Sequence, residues 1–178
     1  MSSAEIRSTI GTERNIPLQN ISGRENGLYP PELFKSLLNH EVNNSRRYGD
    51  SLTLVNLLVE IDAAQPESWN EAESIVMNRL RLDLREADIL CKQGHEFLIL
   101  LPSTSTPGAR TAFERLKNKI ITEEGVSLNL SLFIGMTSMH AHDSITSEEF
   151  LQNAARALQH ARAQGLTDVV AFSDAFKE

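Results

Sequence analysis

The stretch Cys91–Pro102 constrains the chain most. It reads Cys-Lys-Gln-Gly-His-Glu-Phe-Leu-Ile-Leu-Leu-Pro. One strand leads into a tight turn at Gln93-Gly94-His95, and an almost wholly apolar strand follows. Two strands joined by so short a glycine-containing turn pair as an antiparallel hairpin. The second strand, over 96–101, is almost fully apolar and reads as ordinary core.

The flanking segments follow the same logic. Pro30-Pro31-Glu32 opens a helix, with Leu33, Phe34, Leu37, Leu38 and Val42 on one face and Gly49 as its left-handed stop. Residues 51–61 are apolar on both faces, as in a central strand, and end in Glu60-Ile61-Asp62. Carboxylates at a strand end matter because open sheets place their chemistry there. A helix is expected over 69–85, hairpin strands over 88–93 and 96–101, and a helix capped by Thr106 with Pro107 at its first position. Gly125 then breaks to a strand over 126–134 that ends at Gly135. Thr146-Ser147-Glu148-Glu149 is a capping-box pattern for the last long helix, which Gly165 closes before a short strand over 168–172. The order αβαββαβαβ contains a ferredoxin-like βαββαβ core of the α+β class, expected as one sheet with helices backing one face. Residues 1–26 are polar and aperiodic and read as a flexible tail, and residues 27–178 as one domain.

Charge and composition exclude several classes of function. The net charge is −7, which argues against a general affinity for nucleic acid or acidic membranes. The single cysteine, Cys91, rules out an intrachain disulfide and a cysteine-based metal cluster, and reads as a small core residue. A reducing cytoplasm is the expected compartment. No signal peptide precedes Gly27, and no apolar run is long enough to span a bilayer. His140 and His142 with Asp143 read as a solvated loop rather than a metal site, and no nucleophile elbow or P-loop is found.

Seven short motifs, spread over residues 27–172, then carry a resemblance. They are Gly27-Leu28-Tyr29, Arg46-Arg47-Tyr48-Gly49, Glu60-Ile61-Asp62, Arg85-Glu86-Ala87-Asp88, Gly94-His95-Glu96-Phe97, Phe133-Ile134-Gly135, and Ala157-Leu158 with Ala161–Gly165. In this order and spacing they resemble the GGDEF (diguanylate cyclase) family, whose core is a palm-like βαββαβ domain. The resemblance implies two domains that face each other, each holding one GTP. A divalent cation, usually magnesium, would be held by the first acid after strand one, a neighbouring carbonyl and the hairpin acid.

Measured against that pattern the site is degenerate. Glu60 stands for the first aspartate, and Asp62 and Glu96 are kept. The hairpin tip is Gln93-Gly94-His95-Glu96 rather than Gly-Gly-Asp/Glu-Glu. The run from Asp88 to Phe97 is one residue short, in either the strand or the turn, so His95 is expected at a position that wants glycine. Ala64-Gln65 replaces the phosphate-contacting Phe-Lys, the loop before Trp69 is shortened, Asn70 replaces a guanine-reading aspartate, and Leu166 replaces an arginine. Arg162 retains the basic character of a phosphate-binding lysine. Each unpaired guanine edge costs about 1–3 kcal/mol, and a missing phosphate cation a similar amount or more.

The expected role is therefore a catalytically inactive regulatory or protein-interaction domain in bacterial cyclic di-GMP signalling. It would have an unidentified protein partner, a homodimer as one candidate assembly, and no metal or other cofactor. A second reading is a cyclic di-GMP receptor. Arg85-x-x-Asp88 matches the family's product-inhibition site, and Arg115 matches the arginine that a neighbouring domain adds to it. A third is an active nucleotidyl cyclase of altered metal or base specificity, the one case in which magnesium would bind, at Glu60 and Glu96.

Overall fold

The computed structural model describes residues 26–61, 68–122 and 130–176. Thus the expected tail up to residue 25, together with Asp62, Ala64 and Gln65, lies outside the described residues. The elements run α1 (Pro31–Tyr48), β1 (Leu52–Ile61), α2 (Trp69–Asp83), β2 (Ile89–Gln93), β3 (Glu96–Pro102), α3 (Thr106–Ile121), β4 (Leu130–Met139), α4 (Ser147–Ala163), β5 (Val169–Ala171) and α5 (Phe172–Ala175). They build one five-stranded sheet in the order β2-β3-β1-β4-β5. Strand β1 lies antiparallel between β3 and β4, β2 is antiparallel to β3, and β5 runs parallel to β4.

Helices cover both faces of this sheet, not the single face expected. The central strands explain why. Val55, Leu57 and Val59 alternate with Leu52 and Leu54, so each face carries its own apolar row and each must be buried. On one face Val55, Leu57, Phe97, Ile99 and Ile134 pack against Val76 and Leu80 of α2 and Phe113, Leu116 and Ile120 of α3. On the other, Leu52, Leu54, Leu98 and Leu100 pack against Phe34, Leu38 and Val42 of α1 and Phe150 and Ala154 of α4.

Local signals place the ends of these helices. Gly49 at φ +82° stops α1, and its N–H donates to the Ser45 carbonyl. The capping box forms as expected at the start of α4. The Glu149 N–H donates to the Thr146 hydroxyl, and the Glu149 carboxylate accepts from the Thr146 N–H. Helix α3 begins one residue earlier than expected, with Ser105 in the cap position. Helix α2 ends at Asp83 rather than Arg85, because Leu84 turns extended. The four-residue α5 follows a β5 shorter than the expected strand.

The largest departure is at Gly135, which lies inside β4 instead of ending it. The strand runs on to Met139, pairing with Leu52 of β1. A Cβ at Gly135 would lie 2.1 Å from the Leu158 nitrogen. The glycine is there because α4 crosses β4 backbone against backbone, not because the chain turns. This close approach holds α4 down on the sheet and fixes where its C-terminal end lies.

At the opposite edge the chain enters along β2. Asn26 and Gly27 turn with φ of +50° and +83°. Tyr29, 2% exposed, bridges to Cys91 and donates its N–H to the Leu90 carbonyl at 2.8 Å. Among the described residues no helix is long and apolar enough to cross a membrane.

Candidate functional site

The sequence-predicted residues fall at two places. The first is the end of β1, beside the hairpin tip. Glu96 lies directly across from Leu58, and Glu60 is two residues further along the same strand. By strand alternation, Asn56, Leu58, Glu60 and Glu96 point to the α1/α4 face. The two acids are thus diagonal neighbours on adjacent strands, the relation that puts residues about 7–8 Å apart.

Both carboxylates already have protein partners. Arg162, in the last turn of α4, donates its Nε to Glu60 Oε1 at 2.6 Å. The buried Asn56 donates its Nδ2 to Glu96 Oε2 at 3.0 Å, while its own Oδ1 is buried without a donor. The Arg162 and Glu60 side chains are 61% and 35% exposed, so water screens the pair and it adds at most about 1 kcal/mol to stability. Its importance is occupancy. A guanidinium sits against the carboxylate that a cation would use, and Asn56 ties the other. Among the described residues no three His, Cys, Asp or Glu side chains converge. A hard cation at this strand end would compete with Arg162 for Glu60 and with Asn56 for Glu96.

The hairpin tip folds back over this strand end. Gln93 pairs with Glu96, leaving a two-residue loop of Gly94 and His95. Gly94 takes φ +58°, as a tight hairpin loop demands of its first position. His95 is not in the left-handed region, which among the described non-glycine residues holds Asn26 and Ser103. The backbone therefore accepts a side chain at His95 without strain. The imidazole packs edge-on to Trp69 at the start of α2, ring centroids 3.7 Å apart, and the His95 carbonyl accepts from the Val59 N–H at 3.2 Å.

The second place is the turn between α2 and β2. Asp88 is 6% exposed, and its Oδ2 accepts the Arg85 N–H at 2.7 Å. The Asp88 N–H donates back to the Arg85 carbonyl at 3.1 Å. This reciprocal pair makes the four residues a rigid turn, with the carboxylate facing inward and the Arg85 side chain exposed. Burial pushes the Asp88 carboxyl above its ordinary range, against the opposing pull of the Arg85 N–H and charge. A depression of about 260 Å³ opens here, lined by Gly27, Arg81, Leu84, Arg85, Glu86, Asp88 and Leu90.

Arg115 is exposed on α3 and does not line that depression, so one chain does not bring all three predicted residues together. Sequence reasoning missed Arg81. Sequence spacing gave no sure signal for it, because α2 ends at Asp83 and the extended Leu84 breaks the helical register between Arg81 and Arg85. The His140 loop is locally organised. His140 Nδ1 meets the Ser51 hydroxyl at 3.0 Å, and the Asp143 carboxylate accepts the His140 N–H at 2.8 Å.

The family model described as diguanylate cyclase, GGDEF domain, matches residues 74–167, from α2 to just short of β5. Glu60 lies outside the matched stretch. The diguanylate cyclase DgcP of Pseudomonas aeruginosa is 31% identical over 96 residues, which are 51% of this chain and 14% of that protein. The chain thus corresponds to a small part of that curated relative. Among solved structures, the diguanylate cyclase SiaD in complex with its activator SiaC, from Pseudomonas aeruginosa, superposes with a TM-score of 0.72 at 25% identity, over 86% of this chain and 63% of that one. The GGDEF domain of DgcB from Caulobacter crescentus, in complex with c-di-GMP, superposes with a TM-score of 0.71 over 82% of this chain and 89% of that one. At 13% identity this second likeness speaks for the fold alone.

Proposed function

The chain belongs to the diguanylate cyclase GGDEF-domain family, and within that family we propose that it is a catalytically inactive member acting as a regulatory or protein-interaction module in cyclic di-GMP signalling. One observation carries the proposal: the ion pair of Glu60 with Arg162. In the family pattern the acid at Glu60 holds the cation and the base at Arg162 meets phosphate. Here the two neutralise each other across the space between β1 and α4. Binding a magnesium nucleotide would first require breaking that pair, and the released groups would still lack the ligands lost around them. Glu96 offers one carboxylate, bound to Asn56, and His95 with Trp69 covers the neighbouring tip. SiaD, a relative of the same fold, was solved with a protein activator, which supports interaction with a protein partner as a use of this fold.

Incubation with GTP or ATP and Mg²⁺ or Mn²⁺, followed by chromatography, tests the proposal. The expected result is no cyclic dinucleotide, from the parent chain and from Arg162→Ala alike. Product from the parent would refute inactivity. Product from Arg162→Ala alone would show a working site held shut by one residue.

A second reading is favoured by the depression at the α2–β2 turn. Arg85 and Asp88 both line it, a planar cation beside a carboxylate, which suits guanine and phosphate recognition. In this reading the domain is a cyclic di-GMP receptor, and Arg115 reaches the ligand from a second copy. Calorimetric titration with cyclic di-GMP, beside Arg85→Ala, tests it, and the absence of heat from the parent chain removes it.

A further inference from the structure

We infer that Arg81 is a third ligand-binding residue of this depression, supplying from the same chain a second cation for a cyclic dinucleotide with two phosphates. The inference rests on the receptor reading above and deepens it. Arg81 sits in the last turn of α2, and Arg85 follows four residues later. The helix ends between them, at Asp83, and the extended Leu84 turns the chain so that the two arginines come to the same depression from the helix end and from the turn after it. Both line the one depression. Arg81 is exposed and makes no side-chain hydrogen bond or ion pair among the described residues.

Charge decides why the second arginine is needed. The lining holds two acids, Glu86 and Asp88, and two bases, Arg81 and Arg85. With both arginines the depression is neutral. With Arg85 alone it carries one excess negative charge and faces a ligand that carries two more. A carboxylate-rich wall repels a dianion unless a cation stands beside each phosphate. Arg81 is the remaining cation in the lining. A structural role also exists for it, since a base in the last turn complements the helix dipole. That role affects the stability of the fold and not the affinity for an anion.

The experiment is calorimetric titration of the full chain with cyclic di-GMP at two salt concentrations. It compares the parent, Arg81→Gln, Arg81→Lys and Arg85→Ala, with a thermal melt of each. Glutamine is a good helix former, so the exposed substitution leaves the fold intact. Arg81→Gln is expected to weaken binding about ten- to hundredfold, the loss of one charge-assisted hydrogen bond, and to flatten the salt dependence. Arg81→Lys recovers part of the loss, and the melts stay within a few degrees of the parent. If the parent binds, Arg85→Ala fails, and Arg81→Gln binds like the parent, the assignment of Arg81 is overturned while the receptor reading stands. If the parent does not bind, both fall.

Discussion

Replacing Gly135 by alanine tests the crossing that positions α4. The added Cβ would lie 2.1 Å from the Leu158 nitrogen and 2.6 Å from the Ala157 carbonyl carbon. Ordinary carbon contacts begin near 3.4 Å, so α4 must retreat by about 1.3 Å (3.4 less 2.1). No side chain can swing aside, because the obstacle is helix backbone. The retreat loosens Ala154, Ala157, Leu158 and Ala161, all buried against the sheet. Overpacking of a tight core costs about 1–3 kcal/mol and sometimes more. A rigid backbone obstacle belongs at the upper end, about 3 kcal/mol. For a domain of this size each kcal/mol moves the midpoint by about 2–4 °C, so Tm should fall by about 6–12 °C. Thermal unfolding followed by far-ultraviolet circular dichroism measures it. A Tm within about 2 °C of the parent would refute the reasoning and mean that α4 does not touch β4 as described.

Two further outcomes follow from buried acids. Burial raises the Asp88 carboxyl above its ordinary value of 3.8, so its contribution to stability is fully present below pH 3.8 and is lost as pH rises through the folded value. Urea titrations of the parent and Asp88→Asn between pH 4 and 7 should show the parent losing stability relative to the variant as pH increases, and the opposite trend would contradict the assignment. Burial also pushes the Cys91 thiol up to about 11, so a thiolate-specific disulfide reagent at pH 8 should label the native chain only as fast as it opens, whereas labelling at the rate of the urea-unfolded chain would place Cys91 at the surface.

Much of the fold was legible because the signals were local. The hairpin of β2 and β3, the glycine stop of α1 and the capping box of α4 each depend on a few adjacent residues. Gly135 was misread because a glycine that ends a strand and one that admits a crossing helix look alike in sequence, and only the position of Leu158 separates them. Helices on both faces were implicit in the doubly apolar β1, but the motif name led to one face. The candidate site was legible as a set of residue types, not as an arrangement. Nothing local tells that Arg162 reaches Glu60, since α4 meets β1 only through the folded sheet. Asp88 was read as a ligand-facing acid, yet its buried carboxylate also holds its own turn through the Arg85 N–H.

The order of the strands also protects the chain from itself. Strands β1, β3 and β4, with 10, 7 and 10 residues, are long, apolar and rich in branched side chains, the composition that seeds cross-β stacking when exposed. All three lie in the interior of the sheet. The two edges fall to β2, with five residues, and β5, with three, and Tyr29 covers part of β2. Among the described residues a second molecule therefore meets only short rims on which to add a strand. Among the described residues, exposing an edge of the long inner strands requires loss of β2 or β5, so their resistance to aggregation is set by how tightly the two shortest strands are held.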